Sequence, residues 1–156
     1  MRLSQAVEWT LHSCVNLAWV QGPVPAARLA RLYQLPAAYL NKQLQALVRA
    51  DILVSVPGAH GGFRLARDPA DISLLDVVVA VEGSEEAFRC AQIVQRGPGG
   101  DPNVDYRHFC AIAQSMRRAD LAWRRELAAR TIADVAAEAA RHSPDAPERI
   151  RTALAR

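Results

Sequence analysis

Glu8 and His12 stand four residues apart near the start of the chain. On a helix that spacing stacks both side chains on one face, where they form either a solvated surface pair or two donors to one metal centre. Cys90 and Cys110 bracket a stretch containing Arg96-Gly97-Pro98-Gly99-Gly100-Asp101-Pro102, irregular and long enough to bring two sulfurs together. Two thiolates, one imidazole and one carboxylate make four donors. Four donors suit a [2Fe–2S] cluster with two terminal ligands per iron, and they suit tetrahedral zinc equally well. The two thiols are also compatible with packing or a disulfide. Cys14 falls on the apolar face of the first helix and reads as packing, and His108, beside Cys110, reads as a surface histidine of the loop.

Helices and one hairpin position these residues. Residues 4–20 carry Val7, Leu11, Cys14, Val15 and Ala18 at three- and four-residue spacing, the pattern of one apolar helix face, and Gln21-Gly22-Pro23 stops it. Pro25 opens a second helix that ends near Gln34. Pro36 opens a third, from Ala37 to about Ala50, with Leu40, Leu44, Leu47 and Val48 inward and Tyr39, Asn41, Lys42, Gln45 and Arg49 towards water. Two short helices joined by a tight turn, the second with a polar and basic outer face, make a helix-turn-helix. Ile52 to Val56 and Phe63 to Leu65 then flank a Gly-rich turn as a β-hairpin, placed as a wing. Ser73 is a helix N-cap with Asp76 in the first turn, and Gly83 is the stop.

Residues 84–108 form an irregular loop. From about Phe109 to Ala139 a helical stripe of Ile112, Met116, Ala119, Trp123, Leu127 and Val135 continues. A helix of that length would project about 45 Å, and a second chain is the simplest cover for its apolar face. The expected fold is mainly α with a small β-hairpin wing. It divides into a winged helix-turn-helix over 1–83, a ligand-bearing loop over 84–108, a dimerisation helix over 109–140 and a flexible tail over 141–156.

The net charge of +3 is unevenly spread. Residues 1–67 hold seven basic side chains (Arg2, Arg28, Arg31, Lys42, Arg49, Arg64, Arg67) against Glu8 and Asp51, so 7 − 2 gives +5 and leaves −2 for the rest. That places a nucleic-acid footprint on the helix-turn-helix and wing. Asn41 and Gln45 have the donor–acceptor pairs that read adenine edges, and Lys42 suits guanine or phosphate. Three scattered cysteines are too few for a secreted disulfide framework. The N-terminus lacks a signal-peptide pattern and no stretch is long and apolar enough for a membrane span, so a cytoplasmic protein is expected. No nucleophile–base pair, phosphate-binding Gly motif or paired carboxylates is present, and His60 beside Gly61-Gly62 belongs to a turn. Catalysis is not expected.

Tyr39-Leu40, the wing Gly61-Gly62-Phe63-Arg64-Leu65-Ala66-Arg67, the segment Ile72-Ser73-Leu74-Leu75-Asp76-Val77-Val78 and Val81-Glu82-Gly83 together resemble the winged-helix regulators that include IscR, NsrR and RsrR. The likeness runs from residue 1 to about 138. It implies a dimeric DNA-binding transcription regulator, a repressor of a dyad-symmetric operator, that senses redox or nitrosative stress through an iron–sulfur cluster. Many members place three closely spaced cysteines before the long helix, whereas this chain has Cys90 and Cys110. In that respect it is most similar to the RsrR branch. There two thiolates of one subunit are joined by a Glu and a His of the other, which implies Glu8, His12, Cys90 and Cys110 as ligands and Trp9 as the residue that relays a change of state. The wing also departs from the pattern: Pro57 stands where an Arg often precedes the turn glycine, leaving His60 and Arg64 for wing contacts. Pro36 and Ala38 replace residues that are often Ser in relatives, so the operator of a relative does not transfer.

Overall fold

The computed structural model describes residues 3–155, so Arg2 of the basic first half lies outside the described residues. It divides into two compact units, residues 84–126 and residues 3–83 with 127–155.

In the larger unit, α1 (Gln5–Ala18) is buried along Ala6, Val7, Cys14, Val15 and Leu17 and packs against the third, fourth and seventh helices. Helices α2 (Ala26–Leu32) and α3 (Ala37–Arg49) follow. Pro25 and Pro36 occupy the N-cap positions of these two helices, just before the first helical residue and where extended backbone is wanted. Gln34, at φ 55°, makes the tight turn between them. Leu40, Leu44 and Leu47 of α3 are fully buried, while Val48 is only half-buried. Each such leucine contributes roughly 1.5–3 kcal/mol by leaving water, so one face of α3 is fixed and the other is free to contact a partner.

The wing pairs β1 (Leu53–Val56) with β2 (Gly62–Leu65), Leu53 opposite Leu65 and Ser55 opposite Phe63. The chain before α2 joins it: Val24 N donates to Phe63 O at 2.9 Å and Phe63 N to Val24 O at 2.8 Å. This exchange brings Val24 so close that a Cβ at Gly62 (φ +147°) would lie 2.3 Å from the Val24 carbonyl carbon. Helix α4 (Leu74–Glu82) begins with a reciprocal cap, Asp76 N to Ser73 Oγ at 3.1 Å and Ser73 N to Asp76 Oδ2 at 2.9 Å, and ends at Gly83, φ 91°.

The helical extent expected after Phe109 needs correction. The chain forms α5 (Tyr106–Phe109), α6 (Ala111–Ala128) and α7 (Ile132–His142) rather than one rod. Thr131 is the cause. Its Oγ1 accepts from Asp134 N at 3.1 Å while its own N donates to Asp134 Oδ2 at 2.9 Å, a capping box that starts a new helix. Arg130 O and Ile132 N, needed by a continuous helix, instead pair with Leu74 N (2.9 Å) and Ile72 O (2.8 Å). Helix α6 is therefore about 27 Å long, and Val135 leaves the stripe to pack on the core through α7. The expected flexible tail is likewise corrected over α8 (Ala146–Ala155). Ile150 and Leu154, four residues apart, form an apolar stripe that docks on the core, with Leu154 buried and its carbonyl accepting from Arg28 Nη1 at 3.0 Å.

In the smaller unit the backbone between Ser84 and Asp105 is irregular apart from a 3-10 turn at Ile93–Arg96. Gln95 Nε2 donates to Val104 O at 2.7 Å, and Asp101 N donates to the Tyr106 hydroxyl at 2.8 Å. Ala113 is the buried residue of α6, whereas Phe109, Ile112, Met116 and Leu121 are exposed.

The wing glycines separate backbone strain from crowding. Gly58 also has positive φ but open space around its missing Cβ. Gly58→Ala should cost about 1–2 kcal/mol from left-handed strain alone, and Gly62→Ala about 2 kcal/mol more, because the Val24–Phe63 exchange must open. Urea unfolding of the two variants measures the difference, and equal losses would show that the approach of Val24 carries no weight.

Candidate nucleic-acid interface and metal-ligand set

Burial of Leu40, Leu44 and Leu47 turns the opposite side of α3 outward. Tyr39, Asn41, Lys42 and Arg49 are exposed there and Gln45 is half-buried. Lys42, Gln45 and Arg49 follow at three- and four-residue spacing and so lie along one edge. Among the described residues neither Lys42 nor Arg49 is paired with a carboxylate. In the wing, His60 and Arg64 are exposed, and Arg64 Nη1 donates only to Leu65 O at 3.2 Å. By contrast Arg89, Arg107, Arg117, Arg124 and Arg130 each meet an acidic side chain. The expected DNA-facing cations are thus held in place by their helix and hairpin yet keep their charge unneutralised.

The expected ligands divide between the two units. Glu8 and His12 are exposed on α1 at the lip of an open apolar groove of about 520 Å³ lined by Leu3, Leu11, Val15, Leu74 and Val135. Neither side chain makes a hydrogen bond or ion pair among the described residues; the His12 ring lies 5.5 Å from that of Tyr33, tilted at 50°. Cys90 and Cys110 belong to the other unit, both free and half-buried. Cys90 lies within electrostatic reach of Arg107, which also holds the Asp105 carboxyl below its usual range through side-chain hydrogen bonds of 2.9–3.2 Å. Cys110 closes α5, and its carbonyl accepts from Gln114 N at the start of α6. His108 is exposed, its carbonyl bonded by Gln114 Nε2 at 2.8 Å. Among the described residues, three His, Cys, Asp or Glu side chains converge on a metal position within neither unit.

Cys14 is different. It is fully buried, and burial pushes its thiol up to about 12, which makes it a packing group.

Besides the His12–Tyr33 ring contact, two others link α1 to the helix-turn-helix. Trp9 meets Tyr39 of α3 edge-on, centroids 5.5 Å apart and planes at 84°. Tyr33, which caps α2, shares its hydroxyl with buried Asn16, Asn16 Nδ2 donating at 3.0 Å. Sequence reasoning missed Asn16 and Tyr33. The usable signal was an amide at position 16, on the apolar side of a helix, where an unpaired polar group is costly.

Residues 3–138 match the family described as "Rrf2: Iron-dependent Transcriptional regulator". The chain belongs to the Rrf2 family. YffB of Lactococcus lactis, an HTH-type transcriptional regulator by name, is 30% identical over 140 residues, 88% of each chain. IscR of Photobacterium profundum is 32% identical over 92 residues, which is 58% of this chain and 54% of that one. In structure the chain is similar to CymR, described as the global cysteine regulator of B. subtilis, at a TM-score of 0.68 and 21% identity over 88% of this chain and 98% of that one. It is also similar to IscR of T. potens, at a TM-score of 0.67 and 24% identity over 92% and 91%. The winged-helix fold expected from the sequence is the one these regulators share. As an Rrf2 protein the chain is a DNA-binding transcriptional regulator, and its relatives are named as regulators, not enzymes. Among the described residues no helix is long and apolar enough to cross a membrane.

The environments of the three thiols predict a two-plus-one pattern of reactivity. In the folded, metal-free chain Cys90 and Cys110 should alkylate at least about tenfold faster than Cys14, which should react only after unfolding. Mass spectrometry of a timed iodoacetamide reaction reads this, and equal labelling of all three would contradict the burial of Cys14.

Proposed function

We propose that this Rrf2 protein is a homodimeric transcription regulator, a repressor of a dyad-symmetric operator. In this reading a [2Fe–2S] cluster held by Glu8 and His12 of one subunit and Cys90 and Cys110 of the other reports redox or nitrosative state. The observation that carries the reading is the split donor set: a family described as iron-dependent, two free thiols in one unit, and an unpartnered carboxylate and imidazole in the other, with no three donors converging within either. Donors of the right chemistry are present as two half-sites, and a second copy of the chain completes both at once. Exposed Phe109, Ile112 and Met116 of one subunit and the apolar groove beside Glu8 and His12 of another are complementary in character, which favours the dimer.

A cluster with imidazole and carboxylate in place of two thiolates supplies a one-electron couple at a higher potential than an all-thiolate one. The chain's own residues supply the rest. Glu8 and His12 fix the ligated face of α1. Trp9, next to Glu8, touches Tyr39, and His12 touches Tyr33, so a rearrangement around either ligand meets the helix-turn-helix directly. Lys42 and Arg49 contact phosphates or bases, Asn41 and Gln45 read base edges, Tyr39 stands beside them, and His60 and Arg64 extend the footprint from the wing.

Anaerobically purified protein should be coloured and contain iron with acid-labile sulfide, and Cys90→Ala or His12→Ala should bleach or shift its absorption. Zinc without sulfide in the wild-type protein would replace the cluster by a structural metal site, and a colourless, metal-free protein with unaltered DNA binding would end the metal reading altogether. On the DNA side, Lys42→Ala and Arg49→Ala should each lower the slope of log K against log salt by about one. They should weaken binding on every duplex tested, whereas Asn41→Ala should chiefly relax sequence preference. An unchanged salt slope in both basic variants would remove them from the interface.

A further inference from the structure

Positions 113, 117, 120 and 124 share one face of α6, spaced by four, three and four residues. Ala113 is buried there, Arg117 and Arg124 meet the segment that leaves Gly83, and Asp120 holds Arg124. Arg124 forks across that segment's main chain, its Nη2 donating to the carbonyls of Ser84 at 3.1 Å and Glu85 at 2.9 Å. Its Nε donates to Asp120 Oδ2 at 2.7 Å. The Asp120 side chain is 8% exposed, and its Oδ1 is buried without a hydrogen-bond partner. Further along, Arg117 Nε faces Glu86 at 3.5 Å. Cys90 then lies in a cleft of about 220 Å³ whose walls include Ala113, Arg117 and Asp120. Residues 84–90 thus run antiparallel along α6, pinned at their start and carrying Cys90 at their end.

The pin has a specific chemistry. Two successive carbonyls outside any helix or sheet need a donor, and a planar guanidinium reaches both while a third N–H remains for a carboxylate. Asp120 is recessed, so it orients Arg124 and withdraws little of its reach into water. A lysine in its place offers one compact ammonium and cannot span the three acceptors in this arrangement.

We propose that Arg124, seated on Asp120, is the positioning residue for Cys90: by gripping the Ser84 and Glu85 carbonyls it sets the register of the segment along α6 and so the place of the thiol. The geometry stands without a cluster. Its consequence for metal binding rests on the assignment of Cys90 as a ligand.

The test uses the full chain with and without its metal. In metal-free protein, iodoacetamide alkylation should quicken about fivefold or more at Cys90 in Arg124→Gln and nearly as much in Arg124→Lys. The rates at Cys110 and Cys14 should stay within about twofold of wild type. An unchanged rate at Cys90 overturns the proposal. Equal acceleration at all three thiols also overturns it, because that is general loosening rather than loss of a local grip. After reconstitution with iron and sulfide, both variants should release iron to a chelator about fivefold faster than wild type and show a shifted visible spectrum. A wild-type chain that takes up no cluster defeats the reading of Cys90 as a ligand and leaves the alkylation rates to decide on Arg124.

Discussion

The burial of α1 is the constraint on which the rest depends. Val7, Cys14, Val15 and Leu17 anchor it against α3, α4 and α7, and together their desolvation is worth several kcal/mol. Because the apolar face is so committed, the remaining edge of the helix is fixed in direction. Glu8 and His12 must face outward beside a groove, and Trp9 must meet α3. The buried polar residues of the same helix agree with this orientation. Thr10 and Ser13 return their hydroxyls to Ala6 and Trp9 carbonyls at 2.8 Å, and Asn16 is satisfied by Tyr33. One helix therefore carries core, candidate ligands and the contact to the recognition helix, and none of these can be reoriented without cost to the others.

Local signals made the helix-turn-helix and wing legible in the sequence. Leu40, Leu44 and Leu47 report one face, Pro25 and Pro36 mark the helix starts, and Ser73 with Asp76 writes out its cap in residue types alone. The break after Ala128 was equally written, as Thr131 and Asp134, but the apolar spacing of Trp123, Leu127 and Val135 runs straight across it. Periodicity counts which residues share a face and is blind to a change of helix axis, whereas a capping box is a reciprocal bond between two residues three positions apart that starts a new helix. Composition misled for the last residues, where Pro, Ala and Arg suggested fraying and Ile150 with Leu154 supplied the anchor. The bridge that Val24 adds to the wing at Phe63 had no sequence signal, since Val24 belongs to the preceding loop.

The candidate metal site was legible only as chemistry. Spacing on α1 pairs Glu8 with His12 because a helix makes four residues neighbours, a relation the structure keeps. No comparable rule relates position 12 to position 90. Convergence of ligands carried by separate units is a property of packing or of assembly, and sequence spacing holds no measure of it. The grip of Arg124 on Ser84 and Glu85 was hidden for the same reason: its acceptors are backbone carbonyls, which have no residue signature.

The distribution of charge makes a complementary case for where function lies. In residues 84–126 Arg89, Arg107, Arg117 and Arg124 meet Glu85, Asp105, Glu86 and Asp120, while Arg96, Arg118 and Arg125 are exposed and meet no carboxylate among the described residues. The three exposed pairs add little stability, whereas the recessed Arg124–Asp120 pair holds the irregular segment in place through the Ser84 and Glu85 carbonyls. On α3 and the wing the carriers differ. Lys42, Arg49 and Arg64 are few, but no carboxylate among the described residues neutralises them, and their carriers are rigid elements backed by buried leucines and a paired hairpin. Cations without a carboxylate partner thus occur in both units, and what distinguishes Lys42, Arg49 and Arg64 is that a helix backed by buried leucines and a paired hairpin carry them.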